Sequence, residues 1–175
     1  TIKTYKEGRK PIRLNRSSHN LTENQEQDNK VWQQLRLFEY LNQMPILQFL
    51  EPNVEADDVI AFIAKSEKYS DFSKIVVSSD KDFIQLCDNK TILYRPMQSD
   101  VKTEKSIVLE YNIHPNNFAL SRAIAGDVSD NIPGVSGIGL KTIAKYLPFL
   151  SESKSYLFDE IEQFCNDKNK EEKVK

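Results

Sequence analysis

The sequence predicts an α/β domain, a sheet with helical segments at its end. Three observations predict it. Ile75, Val76 and Val77 form a continuous β-branched run that suits a strand buried on both faces of a parallel sheet. Ile46 to Leu50 and Thr91 to Tyr94 give two further short strand signals. Segments with helical apolar spacing separate and follow them, so the order strand, helix, strand, helix, strand emerges. The 175 residues suffice for a real core, and 39% hydrophobic with 29% charged residues describes a soluble globular chain.

Residues 1 to 20 carry Lys3, Lys6, Arg9, Lys10, Arg13 and Arg16 with no clean periodicity. Such a run is either a solvated tail or an arm that contacts phosphates. From Thr22, a candidate N-cap, to about Asn42 the pattern is helical. Val31, Leu35, Phe38 and Leu41, with Trp32 beside them, are expected in the core. A buried strand is expected over Ile46 to Leu50. Next, Ala56, Val59, Ile60, Ile63 and Ala64 line one helix face that should pack on the sheet. The central run Ile75 to Val77 ends at Ser78 and Ser79, and Asp80 and Asp82 open a short helix carrying Phe83, Ile84 and Leu86.

After the strand at Thr91 to Tyr94, residues 98 to 106 read as a polar turn or hairpin, and Asn116 to Ala125 as a helix. Pro133, Gly134, Gly137 and Gly139 make a glycine-rich hairpin before a helix bearing Leu140, Ile143, Ala144 and Leu147, which Pro148 ends. Ser151 to Phe164 is expected as one more helix, and Lys168 to Lys175 as a frayed charge run.

No apolar run approaches a membrane span. Cys87 and Cys165 make no metal-type spacing and read as reduced thiols, which points to a cytoplasmic location. The chain opens at Thr1 in a basic segment, and an upstream part is expected. The net charge of −2 says little, but its distribution does: a basic arm and an acidic knot could hold a polyanion and a metal respectively.

Three acidic groups fall where strands or helices end: Glu55/Asp57/Asp58, Asp80/Asp82 and Asp127/Asp130. Asp80 could be a mere N-cap and Asp82 a first-turn acid. Three acids in one turn at 55–58 repel one another, and the helix dipole offsets only roughly 0.3–1 kcal/mol per charge. Oxygen donors without His or Cys indicate Mg²⁺ or Mn²⁺. So many carboxylates suit a pair of ions about 3.5–4 Å apart, which serves attack of water on a phosphodiester. His19 and His114 lie outside these groups and are assigned no role. The hairpin glycines could be plain turn geometry. A purely structural turn rarely needs three glycines so close, so the favoured reading brings backbone N–H groups to a phosphate, with Lys141 and Lys145 behind.

VEADDVIAFIAK, SSDKDFIQL and GDVSDNIPGVSGIGLKTIAKYL resemble, in order and at familiar spacing, the motifs of the metal-dependent 5′-nucleases: flap endonucleases, phage 5′-3′ exonucleases and the 5′-nuclease domain of bacterial DNA polymerase I. YKEGR at Tyr5 to Arg9 resembles the basic start of that family's helical arch. The resemblance implies a PIN-like fold: a mixed, mainly parallel sheet flanked by helices, with a C-terminal helix-hairpin-helix. Residues 1–125 would be a partial catalytic domain, with 1–20 as arch segment, and 126–175 a DNA-binding region continuous with it. Glu55, Asp57, Asp58, Asp80, Asp82, Asp127 and Asp130 would be direct or water-mediated metal ligands, and Lys6 and Arg9 would grip the scissile phosphate.

Gly134, Val135, Gly137, Ile138, Gly139, Lys141, Thr142 and Lys145 would hold duplex DNA, with K⁺ on hairpin carbonyls. The implied substrate is DNA with 5′ ends or flaps, or an RNA–DNA hybrid, cut by a monomer alongside replication proteins. The short loops are closer to the phage members, and hence to a host cytoplasm. Family members also begin with a strand carrying a metal-binding Asp and carry another Asp before the arch, and neither is in these residues. A non-catalytic DNA-binding module is therefore the alternative. A haloacid-dehalogenase-like phosphatase with Asp80 as nucleophile is a remote third, since Phe83 and Ile84 stand where that family wants a small residue and Thr or Val.

Overall fold

The computed structural model describes residues 21–173, which divide after Asn53 into two compact units. In the first, helix α1 spans Glu23–Leu41. Thr22 caps it in a reciprocal box: its N–H donates to the Gln25 Oε1 at 2.9 Å, and the Gln25 N–H donates to the Thr22 hydroxyl. The apolar stripe does not form a core. Val31, Trp32, Leu35 and Phe38 are all exposed, and α1 buries no residue. An amphipathic stripe marks a face that can be covered but supplies no cover itself. The expected strand at Ile46 to Leu50 is also absent. The segment is irregular and exposed, with a turn in which the Ile46 N–H donates to the Met44 carbonyl. No strand pairs with it, so nothing completes its backbone hydrogen bonds as a ladder.

The second unit, 54–173, holds α2 (Ala56–Lys65), β1 (Lys74–Val77), β2 (Thr91–Arg95), β3 (Asp100–Lys102), α3 (Glu104–Tyr111), α4 (Phe118–Ala125), β4 (Gly126–Asp127), β5 (Ile132–Pro133), α5 (Leu140–Tyr146) and α6 (Phe158–Lys173). The main sheet has the order β1-β2-β3. β1 runs parallel to β2, with Val76 opposite Leu93, and β3 returns antiparallel, with Tyr94 opposite Val101. The sheet is thus mixed, as expected, but not mainly parallel. β1 lies at its edge and is buried on one face only: Val76 points inward, while Ile75 and Val77 are both 64% exposed. A run of β-branched residues fits a half-buried strand as well as a fully buried one, and only the neighbours decide.

The core gathers Ala64, Val76, Phe83, Ile84, Leu86, Leu93, Ile107, Ile113 and Phe118, so α2, the sheet, the segment after Asp80, α3 and α4 close on one another. A second cluster joins Ile143, Leu147, Leu150 and Ile161 beneath α5 and α6. The hairpin expected at 98–106 is present in its first half, where β3 turns back on β2, and the second half starts α3, which Thr103 caps together with Ser106. The charge run near the C-terminus does not fray at Lys168, because α6 continues to Lys173.

Asn117 ties these parts together. Fully buried, its side-chain amide donates to the carbonyls of Leu150, Glu152 and Lys154 at 3.1, 3.1 and 2.9 Å, and its oxygen accepts from the Tyr156 N–H at 2.9 Å. All its donors and its acceptor are used, the condition under which a buried amide is stabilising.

Candidate functional site

The turn after β1 begins where the strand's apolar run ends. The Asp80 N–H donates to the Ser78 hydroxyl at 3.1 Å, and the Asp80 Oδ1 accepts from the Asp82 N–H at 3.0 Å. Asp80 is therefore the N-cap of the helical turn Lys81–Leu86, which is 3₁₀ rather than α. Phe83, Ile84 and Leu86 bury its inner side and leave Asp82 turned toward α4.

The second acidic segment is a tight hairpin. β4 pairs antiparallel with β5, Asp127 opposite Ile132 and Gly126 opposite Pro133. A 3₁₀ turn, Val128–Asp130, and Asn131 in the left-handed region (φ 56°) connect them. The Asp127 Oδ1 accepts from both the Ser129 N–H, at 2.8 Å, and the Ser129 hydroxyl, at 2.6 Å. Two glycines fasten the hairpin to the end of α4. A Cβ on Gly126 would meet the Gly134 nitrogen at 2.2 Å, and one on Gly134 would meet the Ala125 carbonyl oxygen at 2.1 Å. Gly126 also holds a φ of +76°, which favours glycine.

These two turns face each other across a cleft of about 340 Å³ lined by Asp82, Gln85, Phe118, Arg122, Asp127 and Asp130 among others. Arg122, on α4, spans it. One guanidinium nitrogen pairs with the Asp127 Oδ2 and stands 3.4 Å from the Asp82 Oδ1. Burial pushes the Asp82 carboxyl above its ordinary pKa, and the charges of Asp80 and Asp127 push the same way against the Arg122 guanidinium. Asp127 moves oppositely: the Ser129 hydroxyl, then the Ser129 N–H and Arg122, hold it below the ordinary value, against burial.

The remaining acids are placed otherwise. Glu55 is the N-cap residue of α2, with no capping hydrogen bond from its side chain, and Asp57 and Asp58 occupy the first turn. All three are exposed, and no ion pair among the described residues holds Asp57 or Asp58. Among the described residues no three His, Cys, Asp or Glu side chains are arranged to hold a metal ion. The expected gathering of seven ligands is thus partial: the Asp80/Asp82 and Asp127/Asp130 turns share a cleft, and the α2 acids are not drawn into a cluster with them. The oxygen-only donors that line the cleft, Asp82, Asp127 and Asp130, nonetheless have the chemistry of a hard divalent cation's ligands. Lys6 and Arg9 lie outside the described residues.

The glycine hairpin combines structure with surface. Gly134 is required by packing, as above. Gly137 has a φ of +77° with open space around it, and the Ile138 N–H donates to the Val135 carbonyl at 3.0 Å, closing a turn that needs positive φ at its third position. The Val135 N–H donates to the Ile124 carbonyl at 2.9 Å, so two of the hairpin's amides are engaged internally. Gly139 precedes α5, and its carbonyl accepts from Thr142 and Ile143. Lys141 and Lys145 are exposed on α5, with the Lys145 ammonium 5.6 Å from the Tyr146 ring centre. Arg122 was not singled out from the sequence. The available signal was a lone cation in the otherwise uncharged stretch FALSRAIA, five residues before Asp127.

An α/β domain with carboxylates collected just beyond a strand end defines a class of enzyme-like sites in open sheets. The family model for the 5′-3′ exonuclease N-terminal resolvase-like domain matches residues 1–112, and the chain belongs to this 5′-nuclease family. It is 34% identical over 147 residues to a 5′-3′ exonuclease of Buchnera aphidicola subsp. Schizaphis graminum, covering 81% of this chain and 51% of that protein. It is 37% identical over 113 residues to DNA polymerase I of Mycobacterium bovis, covering 62% of this chain and 12% of that one. Its fold matches a bacteriophage T5 flap endonuclease in a pseudo-enzyme-product complex with DNA and metal ions, with a TM-score of 0.60, 25% identity, and coverage of 74% of this chain and 49% of that one. The chain thus spans about half, or less, of the length of these relatives.

Proposed function

We propose that this chain is part of a structure-specific nuclease that hydrolyses phosphodiesters near a 5′ end or flap junction in replication or repair. The observation that carries the reading is the meeting of the Asp80/Asp82 and Asp127/Asp130 turns, 45 residues apart in sequence, at one cleft. Asp80, Asp82, Asp127 and Asp130, with Glu55, Asp57 and Asp58, would hold Mg²⁺ or Mn²⁺. A pair of such ions supplies a water of lowered pKa and a counter-charge for the leaving oxygen. The chain's own work is positioning. Ser129 fixes the Asp127 carboxylate, Asp80 fixes the turn that presents Asp82, and Arg122 balances charge between them.

Lys141, Thr142 and Lys145, with Gly134 to Gly139, would contact the duplex backbone without reading sequence, and K⁺ could sit on hairpin carbonyls. Lys6 and Arg9 would contact the 5′ strand. DNA or an RNA–DNA hybrid would be the substrate, a monomer the working form, replication proteins its company and the cytoplasm its place. Residues 1–125 would form the catalytic domain, and the continuous DNA-binding region 126–175 would lend it Asp127 and Asp130.

Cleavage of a labelled 5′-flap duplex in Mg²⁺, abolished by EDTA, tests the reading. The absence of a three-acid group among the described residues favours one second reading, a DNA-binding module. Tight binding of that duplex without cleavage in either Mg²⁺ or Mn²⁺ would establish it instead.

A further inference from the structure

We infer that Arg122 is a resident counter-cation that competes with divalent metal for Asp82 and Asp127; the inference rests on the proposed metal reading. A single guanidinium nitrogen serves both carboxylates, pairing with the Asp127 Oδ2 and lying 3.4 Å from the Asp82 Oδ1. Both sides of Asp127 are thereby engaged, since Ser129 takes Oδ1. Oδ2, the oxygen left to meet an ion in the cleft, is the one that Arg122 holds. No cation from another element reaches this pair of carboxylates among the described residues: Lys81 makes no ion pair with Asp82, and Lys141 and Lys145 make none with Asp127. Arg122 itself has 27% of its side chain exposed, so it has room to leave.

The arrangement has two consequences. Without metal the guanidinium relieves the repulsion between Asp82 and Asp127 and keeps the two turns together. With metal it must give up Asp127 Oδ2, so its attraction for that carboxylate is subtracted from metal affinity. Arg122 is on this account a positioning residue that sets the metal concentration at which the cleft loads.

The test is a Mn²⁺ titration by calorimetry on the 175-residue chain, with Arg122→Gln and Arg122→Lys beside it, and melting of each protein with and without Mn²⁺. Asp82→Asn serves as the metal-site control. The expected result is Mn²⁺ affinity raised about tenfold by Arg122→Gln and little changed by Arg122→Lys, as charge removal within 4 Å predicts. Metal-free Arg122→Gln should melt lower than wild type and recover in Mn²⁺. Equal or weaker Mn²⁺ binding by a folded Arg122→Gln, with wild type binding well, overturns the counter-cation role and spares the metal reading. No binding by wild type or Arg122→Gln, or binding that Asp82→Asn leaves intact, sinks both.

Discussion

The acids of the cleft and the acids at the start of α2 are all carboxylates but differ in how they are held. Asp80, Asp82 and Asp127 are each fixed by a partner on their own turn or across the cleft: a backbone N–H, a hydroxyl or a guanidinium. Asp57 and Asp58 project from the first turn of a helix with no ion pair among the described residues. The two cleft carboxylates are displaced in opposite directions for different reasons: burial lifts Asp82, and the Ser129 hydroxyl holds Asp127 down. A carboxylate in a tight turn is positioned before any ligand arrives, whereas one on an exposed helix end is positioned only by what binds it.

The largest expected effect is on turnover. Asp82→Asn should lower flap cleavage about a hundredfold or more while leaving duplex binding nearly intact, the pattern of a group acting on the transition state. Asp58→Asn should do the same if the α2 acids join the site on loading. Wild-type cleavage by Asp58→Asn would confine the chemistry to the cleft. Next comes the scaffold: Gly134→Ala drives a methyl into the Ala125 carbonyl and should cost about 3 kcal/mol in urea unfolding, where a Gly139→Ala change, with open space around it, costs far less.

A smaller effect separates the two groups by stability. Asp127→Asn should cost about 1–2 kcal/mol at pH 7 through its lost charge-assisted bonds, while Asp57→Asn stays within about 0.5 kcal/mol. The pH dependence follows from the signs. Asp127 is depressed, so its contribution is complete above the ordinary value of 3.8 and drains away as pH falls through the lower folded value. Asp82 is raised, so its contribution is present below 3.8 and is lost as pH rises through its folded value. Melting curves from pH 2 to 7 should therefore show Asp127→Asn flattening the acid limb and Asp82→Asn melting no lower than wild type near neutrality. A steeper acid limb in Asp127→Asn would contradict the assignment. The smallest effect is Lys141→Ala, which should weaken duplex binding for all sequences and lower its salt slope by about one.

Much of this was legible in the sequence because it is local. Thr22 before a helical pattern, the apolar face from Ala56 to Ala64, and Asp80 as cap follow from spacing and capping chemistry alone. What failed depends on neighbours. The β1 run announces a strand but not that one face stays open, and the α1 stripe announces a face but not its cover. Leu47 and Leu50 look like core residues until no strand pairs with them. At the site, the acids could be read because carboxylates cluster visibly in sequence. Arg122 could not, because its significance is the distance to Asp82, 40 residues away. The glycines misled in part: Gly134 looked like a phosphate contact, and close packing against Ala125 also demands it.

The seam between Gly126 and Gly134 ties the acidic hairpin to the end of α4, the helix that bears Arg122. The hairpin backbone that carries Asp127 and the helix that carries Arg122 thus move as one piece, so the Arg122 side chain can swing off Asp127 without the hairpin parting from α4. Only the opposite lip, where Asp82 sits, is left to travel, so the gape of the mouth reduces to one coordinate.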